Sequence, residues 1–318
     1  MLDSSIGSAQ ARRMTTTDLP APAAPAAASS PGVAGRTVLT AFAPAVWGTT
    51  YLVTTELLPQ GHPLFAGLLR ALPAGLLLLL IFRRLPRGVW WWRALVLGAL
   101  NIGFFFPLLF TAAERLPGGV AATIGAIQPL LVIALALPLL GERPAAAKIA
   151  WALAGVAGVA LVVLGPGAAL DPLGLLAGAG SALSMATGVV LTRRWGRPAG
   201  VSSSVLVSWL LTAGGLVLLP MTFSIEGAPP AIGGAAAGGY LWLGLIGGLG
   251  AYLLWFRGLG TLPVTSAALL GLLSPIVAAV LGWLVLGQAL RPLQLLGFAL
   301  ALAAIVGGQL AGRIRRRA

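Results

Sequence analysis

The chain has no cysteine, a single histidine and only seven acidic residues among its 318. The absence of cysteine excludes disulfide bonds and thiolate metal sites. So few histidine and acidic residues leave little material for a nucleophile with its base, for paired carboxylates or for a metal cluster. We therefore predict no catalytic residues, no bound metal and no cofactor. No phosphate-binding loop is present, which argues against an ATP-driven pump.

Charge is scarce, whereas apolar residues are abundant. Hydrophobic residues make up 58% of the chain and charged residues 8%, whereas a soluble domain carries about 25% charged residues. A water-soluble fold cannot cover so much apolar surface, so the composition predicts a polytopic membrane protein. The formal net charge is +13. Its basic residues lie at the ends of apolar blocks, which indicates membrane topology and not a nucleic-acid partner.

Ten apolar blocks have about the 20 residues that a helix needs to cross a bilayer. If the N-terminus lies inside, 17 of the 20 basic residues fall on the inner side and two on the outer side, as the positive-inside rule requires. This predicts an all-α integral membrane protein with both termini in the cytoplasm. The blocks are 37–58, 63–82, 91–113, 117–140, 146–164, 172–192, 201–222, 237–257, 262–286 and 291–312.

The two ends of the chain differ from this pattern. Residues 1–35 are rich in Ala, Pro, Ser and Thr and lack a long apolar run, so we predict a disordered cytoplasmic tail. Met14 is a second candidate for the natural start. Residues 313–318 hold four arginines and are predicted to form a short basic cytoplasmic tail.

An internal repeat relates the two halves of the chain. Residues 110–141 align without a gap on residues 256–287, at an offset of 146. The copies lie five blocks apart, so they cross the membrane in opposite senses. We therefore predict two inverted five-helix repeats, 36–165 and 171–312, with a substrate site between them. The recurring prolines and glycines are Pro117, Gly125, Pro129 and Gly141, matched by Pro263, Gly271, Pro275 and Gly287.

Several short segments follow one another in a distinctive order: Trp47 with Gly48; Pro63 with Arg70 and Ala71; Leu116 with Pro117; Gln128 with Pro129; Gly141, Glu142 and Arg143; and Gly155 with Gly158. In this order they resemble the drug/metabolite transporter superfamily, in particular its EamA-like members. The resemblance covers about residues 37–312, and one departure is Gln288, where the family often has glutamate. It implies a secondary carrier that moves small metabolites or drugs, often outward, by alternating access.

Arg70 is the strongest candidate for a substrate-binding residue. It lies within the second block, where a charge costs about 2.5–3.5 kcal/mol on insertion scales and so usually faces a cavity or a partner. It could hold a substrate carboxylate, snorkel outward, or form an ion pair with Glu56 in one state. Glu56 itself could equally be a solvated interfacial carboxylate. His62, in an outer link, is predicted to be exposed.

Two Gly-x-x-x-Pro motifs occupy equivalent positions in the fourth and ninth blocks. A proline removes one helical hydrogen bond and clashes with the carbonyl four residues before it, which here belongs to glycine. We predict a kink at mid-membrane in both blocks. The kinks could be gating joints lined by the residue before each proline, or static packing kinks. The residues are Gly125, Gln128 and Pro129, and Gly271, Ser274 and Pro275.

Aromatic and polar residues at helical spacing complete the predicted binding surface. Asn101 and Phe105 are four residues apart and should share a helix face, as should Trp47 and Tyr51; Tyr252 and Trp255 lie on the eighth block. They could contact an amphipathic substrate. Interhelical hydrogen bonds and interfacial aromatics are the commoner reasons for such residues.

The function predicted from the sequence is a secondary carrier in the bacterial cytoplasmic membrane. It would move a small metabolite, amino acid or drug-like solute, in the export direction. A lipid scramblase or a membrane scaffold is the alternative: a hydrophilic path between the halves favours the carrier, and a groove open to lipid favours the scramblase. The expected partners are a small-molecule substrate and the lipid bilayer, with a homodimer left open.

Overall fold

The computed structural model describes residues 32–116, 121, 124–163, 171–287 and 292–314. Within these residues the protein is all-helical, with ten helices in the order of the ten predicted blocks. They are Val33–Leu57 (α1), Pro63–Phe82 (α2), Trp90–Arg115 (α3), Ile124–Leu140 (α4), Ala146–Val163 (α5), Pro172–Trp195 (α6), Ser203–Ile225 (α7), Gly234–Leu259 (α8), Val264–Leu270 continued by Leu273–Leu286 (α9), and Pro292–Ile314 (α10).

Seven of the helices in the described residues are long and apolar enough to cross a membrane, namely α2, α3 and α6 to α10. α4 and α5 are shorter apolar helices, and α1 has 25 residues but is not apolar enough to be among the seven. The N-terminal tail was predicted three residues too long, because α1 already begins at Val33. Residues 1–31, with Met14, and residues 315–318 lie outside the described part.

Local sequence explains several helix ends. α2 begins with Pro63. Proline lacks a backbone N–H, but the N–H groups in the first turn of a helix have no partner within the helix, so no hydrogen bond is lost there. α4 and α9 both end at a glycine in the left-handed conformation, Gly141 at φ 67° and Gly287 at φ 65°. These glycines are mates in the repeat, and an L side chain disfavours such a backbone. The repeat in the sequence therefore recurs as a repeat in backbone geometry.

The main helix contacts are preserved when the two halves are exchanged. α2 packs against α7, and α5 packs against α10. Exchanging the two halves turns each of these pairs into itself. The contact of α1 with α9 has its counterpart in α6 with α4, and the contact of α1 with α8 in α6 with α3. α2 with α8 corresponds to α7 with α3. This exchange symmetry is the arrangement expected of two related halves.

The first helix of each half packs on the other half. α1 lies against α8 and α9, while α6 lies against α3 and α4. Helices from both halves therefore pack together in two units, α1 with α8 and α9, and α6 with α3 and α4.

Candidate functional site

A cavity at the centre of the molecule is lined by helices from both halves. Its cavity volume is about 90 Å³. Its lining holds one cationic side chain and, among the described residues, no carboxylate. Eleven of its sixteen lining residues were singled out from the sequence. The lining is Trp47, Thr50, Tyr51, Arg70, Phe105, Leu109, Gly125, Gln128, Ser181, Ala182, Met185, Tyr252, Trp255, Gly271, Ser274 and Pro275.

Arg70 is the cation of this cavity, and it is only 2% exposed. Its Nη1 donates to the Thr50 hydroxyl at 3.2 Å and its Nη2 to the Gly247 carbonyl at 3.3 Å. The guanidinium carbon lies 4.8 Å from the centre of the Phe106 ring. Its Nε has no hydrogen-bond partner among the described residues. The charge is therefore held by neutral groups alone, and part of its donor capacity is unused.

The ion pair considered between Glu56 and Arg70 is not formed. Glu56 is exposed at the end of α1, where the Thr55 hydroxyl donates to it at 3.4 Å. Glu56 lies about two and a half helical turns from Trp47 along α1, beyond the part of the helix that lines the cavity. In this state it does not neutralise the buried arginine.

The Gly247 carbonyl organises the polar side of the cavity. It accepts the Arg70 bond and also a bond from Trp47 Nε1 at 2.9 Å. Gly247 lies in a π-helical stretch of α8, Trp242–Gly250, and such stretches are frequent at functional sites. A second π-helical stretch, Ala99–Gly103, occupies the equivalent part of α3.

Aromatic rings form another part of the cavity wall. Trp47 lies 5.3 Å from both Tyr252 and Trp255, measured between ring centres. Trp255 is 1% exposed, yet its Nε1–H has no hydrogen-bond partner among the described residues. A buried indole N–H usually has a partner. The wall therefore offers flat apolar surface together with a second unused donor.

The interruptions predicted in α4 and α9 are present and lie at the cavity. In α4, the Ile127 N–H donates to the Ile124 carbonyl at 3.1 Å, three residues back instead of four. In α9, the Ser274 N–H donates to the Gly271 carbonyl at 3.1 Å with the same spacing. The second segments begin at Gln128 and at Leu273. Their N-termini bring partial positive charge close to the cavity.

Asn101 is the substrate-binding candidate that the structure places elsewhere. It is fully buried against Gly188 of α6, where its Nδ2 donates to the Leu97 carbonyl at 2.8 Å. Its backbone carbonyl accepts a bond from the Tyr252 hydroxyl at 3.2 Å. Asn101 does not line the cavity, whereas Phe105 does. The π-helical stretch between them adds a residue to the turn, so four-residue spacing no longer means one shared face.

Some cavity residues had no signal in the sequence. Thr50, Leu109, Ser181, Ala182 and Met185 are ordinary residues in apolar helices, and only the packing brings them to the cavity. The glycine-rich run around Gly247 is typical of close helix packing and carries no specific signal for a binding site. No group of three or more metal-ligating side chains exists in the residues searched, which are the described ones.

Comparison with known proteins gives consistent matches. The EamA-like transporter family matches the chain twice, over residues 35–164 and 172–307. Protein PecM of Dickeya dadantii is 48% identical over 265 residues, which are 83% of this chain and 89% of that protein. The uncharacterized inner membrane transporter YedA of Escherichia coli K12 is 28% identical, over 82% of this chain and 86% of that protein.

A solved structure, titled only as the crystal structure of a protein, has the same fold. Its TM-score is 0.74 and its sequence identity 22%, over 89% of this chain and 99% of the other. The family match spans most of the chain, and the resemblance noted in the sequence is thereby confirmed. The chain belongs to the EamA-like transporter family of the drug/metabolite transporter superfamily, and it is a multi-pass membrane transporter and not an enzyme.

Proposed function

We propose that this protein is a secondary carrier for a small solute that bears a carboxylate or a similar acceptor group beside an apolar or aromatic body. The solute occupies the central cavity, with Arg70 as the anchor and Trp47, Tyr252 and Trp255 as the stacking surface. Gln128 and Ser274 supply further polar contacts. Amino acids, organic acids and acidic drug-like molecules share this chemistry.

The unused donors of the cavity carry this proposal. Arg70 Nε and Trp255 Nε1 are buried without acceptors in the described part of the chain. Leaving a buried donor unpaired costs about 1–3 kcal/mol, and more when the group is charged. A solute carboxylate would satisfy the arginine donor, and an acceptor on the ring side would satisfy the indole. Binding of such a solute therefore recovers this cost.

The walls of the cavity favour a carrier over a scramblase. Lining residues come from α1, α2, α3, α4, α6, α8 and α9, so the space is surrounded by helices of both halves. A scramblase needs a polar groove that lipid headgroups can follow along one side. Alternating access in this carrier moves the unit of α1, α8 and α9 against the unit of α3, α4 and α6. The joints at Gly125–Pro129 and Gly271–Pro275 bend during this motion.

The orientation of the chain follows from its charges. The two halves form inverted repeats, and both termini are cytoplasmic in the bacterial inner membrane, because 17 of 20 basic residues then face the inside. YedA, a relative, is named as an inner membrane transporter. We assign export as the direction. A homodimer is not needed to build the cavity, since one chain supplies its whole lining.

A labelling experiment tests alternating access without knowledge of the substrate. The chain contains no cysteine, so Ser274→Cys places one thiol in the cavity of the full-length protein. In oriented proteoliposomes, a membrane-impermeant maleimide should modify this thiol when applied from either side. A carboxylate ligand that binds the cavity should slow the modification from both sides.

The matched control is Ser224→Cys, near the end of α7, where the serine is exposed. This thiol should react from the outer side only, and it also reports the orientation of the protein. Modification of Ser274→Cys from a single side under all conditions would contradict alternating access through this cavity.

A further inference from the structure

A second cavity lies between two links of the chain. One link follows α2, and the other joins α6 to α7. The volume of this cavity is about 680 Å³, within the range of about 300–1,000 Å³ that is usual for ligand pockets. It shares no lining residue with the central cavity. We call it the arginine pocket, because Arg83, Arg84 and Arg87 line it.

The positive charge of the arginine pocket is not balanced by the described part of the chain. The pocket lining contains no acidic residue, and none of its three guanidinium groups has a described carboxylate within 4.0 Å. Two ion pairs, His62 with Glu226 and Arg115 with Asp171, lie at the opposite helix ends, since His62 precedes α2 and Asp171 precedes α6. A guanidinium group stays protonated at any physiological pH. The pocket therefore offers a permanent site for an anion.

Arg84 holds the two links together. Its Nη1 donates to the Gly200 carbonyl at 2.8 Å, and its own backbone carbonyl accepts the Trp209 Nε1 bond at 2.6 Å. Trp209 is only 4% exposed and lies 6.2 Å from Trp90, measured between ring centres. A guanidinium group has five N–H donors in a fixed fork. Because Arg84 uses one of them here, the others remain available to a ligand in a pocket that is already formed.

Arg83 occupies a position where the backbone favours glycine. It ends α2 in the left-handed conformation with φ 47°, and it is the single residue other than glycine with positive φ in the described part of the chain. α4 and α9 end in the same conformation, but at Gly141 and Gly287. An L side chain disfavours this conformation, and a strained residue that persists is a reason to seek a function for it. The arginine side chain at this position therefore points to a use.

The equivalent link of the other half carries the opposite charge. Glu226 directly follows α7, as Arg83 directly follows α2. The Glu226 carboxylate is only 7% exposed and accepts the Leu64 N–H at 2.6 Å and the Phe65 N–H at 2.9 Å. His62 beside it is partly buried, with 27% of its side chain exposed, so the predicted simple exposure of His62 is wrong. At that end the chain supplies its own anion, whereas at the arginine pocket the anion is left to a ligand.

The arginine pocket adjoins apolar surface of the kind that faces lipid. Leu85 and Trp91 line the pocket, yet they keep 58% and 57% of their surface exposed. Leu80 and Ile81, in the last turn of α2, are 70% and 61% exposed. Tryptophan is enriched at the level of the lipid headgroups. A ligand that fills the pocket and also covers this surface needs an anionic group joined to an apolar chain.

We propose that the arginine pocket binds the phosphate group of an anionic phospholipid in the cytoplasmic leaflet. Arg83, Arg84 and Arg87 hold the phosphate oxygens, because guanidinium forks match the geometry of phosphate. Leu85 and Trp91 contact the first part of the acyl chains. Basic pockets between helices on the cytoplasmic side are a known type of site for anionic headgroups. A soluble phosphate ester shares the phosphate chemistry but leaves the apolar surface uncovered.

A lipid in this pocket connects the two halves of the protein. The link after α2 belongs to the first half and the link before α7 to the second, and the phosphate bridges them beside the bond from Arg84 to Gly200. The bound lipid therefore stabilises this end of the α2–α7 pair. The inference goes beyond the transport cycle, and it rests on the proposed orientation only for the leaflet that it names.

Binding is measured by native mass spectrometry of the full chain in a non-ionic detergent. The probes are phosphatidylglycerol as the anionic lipid, phosphatidylcholine as the zwitterionic lipid, and glycerol 3-phosphate as the soluble phosphate. The protein should bind phosphatidylglycerol more tightly than phosphatidylcholine, and glycerol 3-phosphate should not displace the lipid at a similar concentration. Equal binding of the two lipids, or displacement by glycerol 3-phosphate, would overturn the assignment to an anionic lipid.

A matched pair of double variants separates the pocket from the general charge of this face. Arg84→Gln with Arg87→Gln should weaken phosphatidylglycerol binding about 30-fold, from about fivefold for each arginine. Arg194→Gln with Arg257→Gln removes the same charge from exposed residues outside the pocket lining. At about 0.15 M salt, where charges more than about 8 Å apart are screened, this control should bind nearly as the wild type does. An equal loss in both double variants would overturn the proposal.

A third variant keeps every charge and fills the pocket. Ala199 lines the pocket and is exposed, so Ala199→Trp occupies its space without changing an arginine. This variant should also lose phosphatidylglycerol binding, and it decides the assignment if the double variant at Arg84 and Arg87 does not fold. Unchanged binding by Ala199→Trp would contradict the proposed site.

The outcome is independent of the proposed carrier function. Lipid binding in detergent requires neither alternating access nor a known orientation. One-sided labelling of Ser274→Cys would remove the carrier and leave the lipid site in place. Labelling of Ser224→Cys from the outer side supports the cytoplasmic leaflet, because Ser224 lies at the end of α7 opposite the arginine pocket. Labelling from the inner side would overturn that leaflet.

Discussion

Replacing Arg70 by methionine separates its role in binding from its role in folding. Methionine is unbranched, nearly as long and uncharged, so it fills the space of the buried side chain. Arg70 has only two hydrogen bonds in this structure, to Thr50 and to Gly247, and no carboxylate partner in the described part of the chain. The Gly247 carbonyl keeps its bond from Trp47 after the change.

The expected effect on stability is small. Removing one member of a buried ion pair costs about 3–5 kcal/mol because a charge is left unpaired, whereas replacing buried charge by apolar groups of similar volume is often neutral. Replacing Arg70 leaves no oppositely charged partner unpaired, so Arg70→Met should unfold at about the wild-type temperature. The hydrogen bonds of a charged group contribute about 1.5–3 kcal/mol, so carboxylate ligands should bind about 10- to 150-fold more weakly.

The assay is thermal unfolding of detergent-purified protein with amino acids, organic acids, sugars and cationic drugs. A ligand at 100 times its dissociation constant stabilises by about 2.7 kcal/mol, a shift that thermal unfolding resolves. Lys148→Met is the matched control, because Lys148 is also buried but bonds to Thr265 and Ser266, outside the cavity lining. The control should change stability and leave ligand selectivity unaltered.

Two results would refute this reasoning. If Arg70→Met binds carboxylate ligands as the wild type does, the cavity arginine is not an anchor. If Arg70→Met fails to fold while Arg70→Lys folds and binds normally, the charge serves the structure of α2 and not the solute.

Three further outcomes are expected. Asp171→Ala should lower the unfolding temperature at neutral pH, because the Gly174 N–H bond holds the pKa of that carboxyl below its ordinary value. This stability is present above the unfolded pKa and is lost as pH falls through the folded pKa, so the difference between variant and wild type should shrink on acidification below the ordinary aspartate range. Gly75→Ala should destabilise by about 1–3 kcal/mol in chemical unfolding, since its Cβ meets the α7 backbone, whereas Gly125→Ala, with open space around it, should not. Trp255→Phe removes an unpaired donor, so calorimetry should show unchanged stability of the empty protein and about 3- to 10-fold weaker binding of acceptor-bearing ligands.

Much of the fold could be predicted because its signals are local. Ten apolar blocks give ten helices, and α2 has the predicted bounds because Pro63 starts it and charged residues follow Phe82. The prolines at 129 and 275 predict the interruptions in α4 and α9, since a missing N–H is a property of the residue itself. The sequence repeat predicted two related halves, and the main helix contacts of one half recur at the equivalent helices of the other.

The rest depends on contacts that no local pattern contains. A π-helical stretch arises from packing around one extra residue, so the sequence could not show that Asn101 turns away from the cavity while Phe105 faces it. Glu226 lies in a short polar link, and its burial follows from α2 beginning beside it, 162 residues away in sequence. This buried carboxylate was therefore outside every predicted span.

The packing of α1 against the second half of the chain affects how the protein folds during synthesis. Trp47 bonds to Gly247, exactly 200 positions later in the chain, and the packing partners of α1 are α8 and α9. At a synthesis rate of about 5–20 residues per second, α1 waits roughly 10–40 s for them. α1 is also outside the set of described helices that are long and apolar enough to cross a membrane. Its lasting insertion should therefore depend on the last third of the chain, and truncation before α8 should leave α1 exposed to membrane quality control.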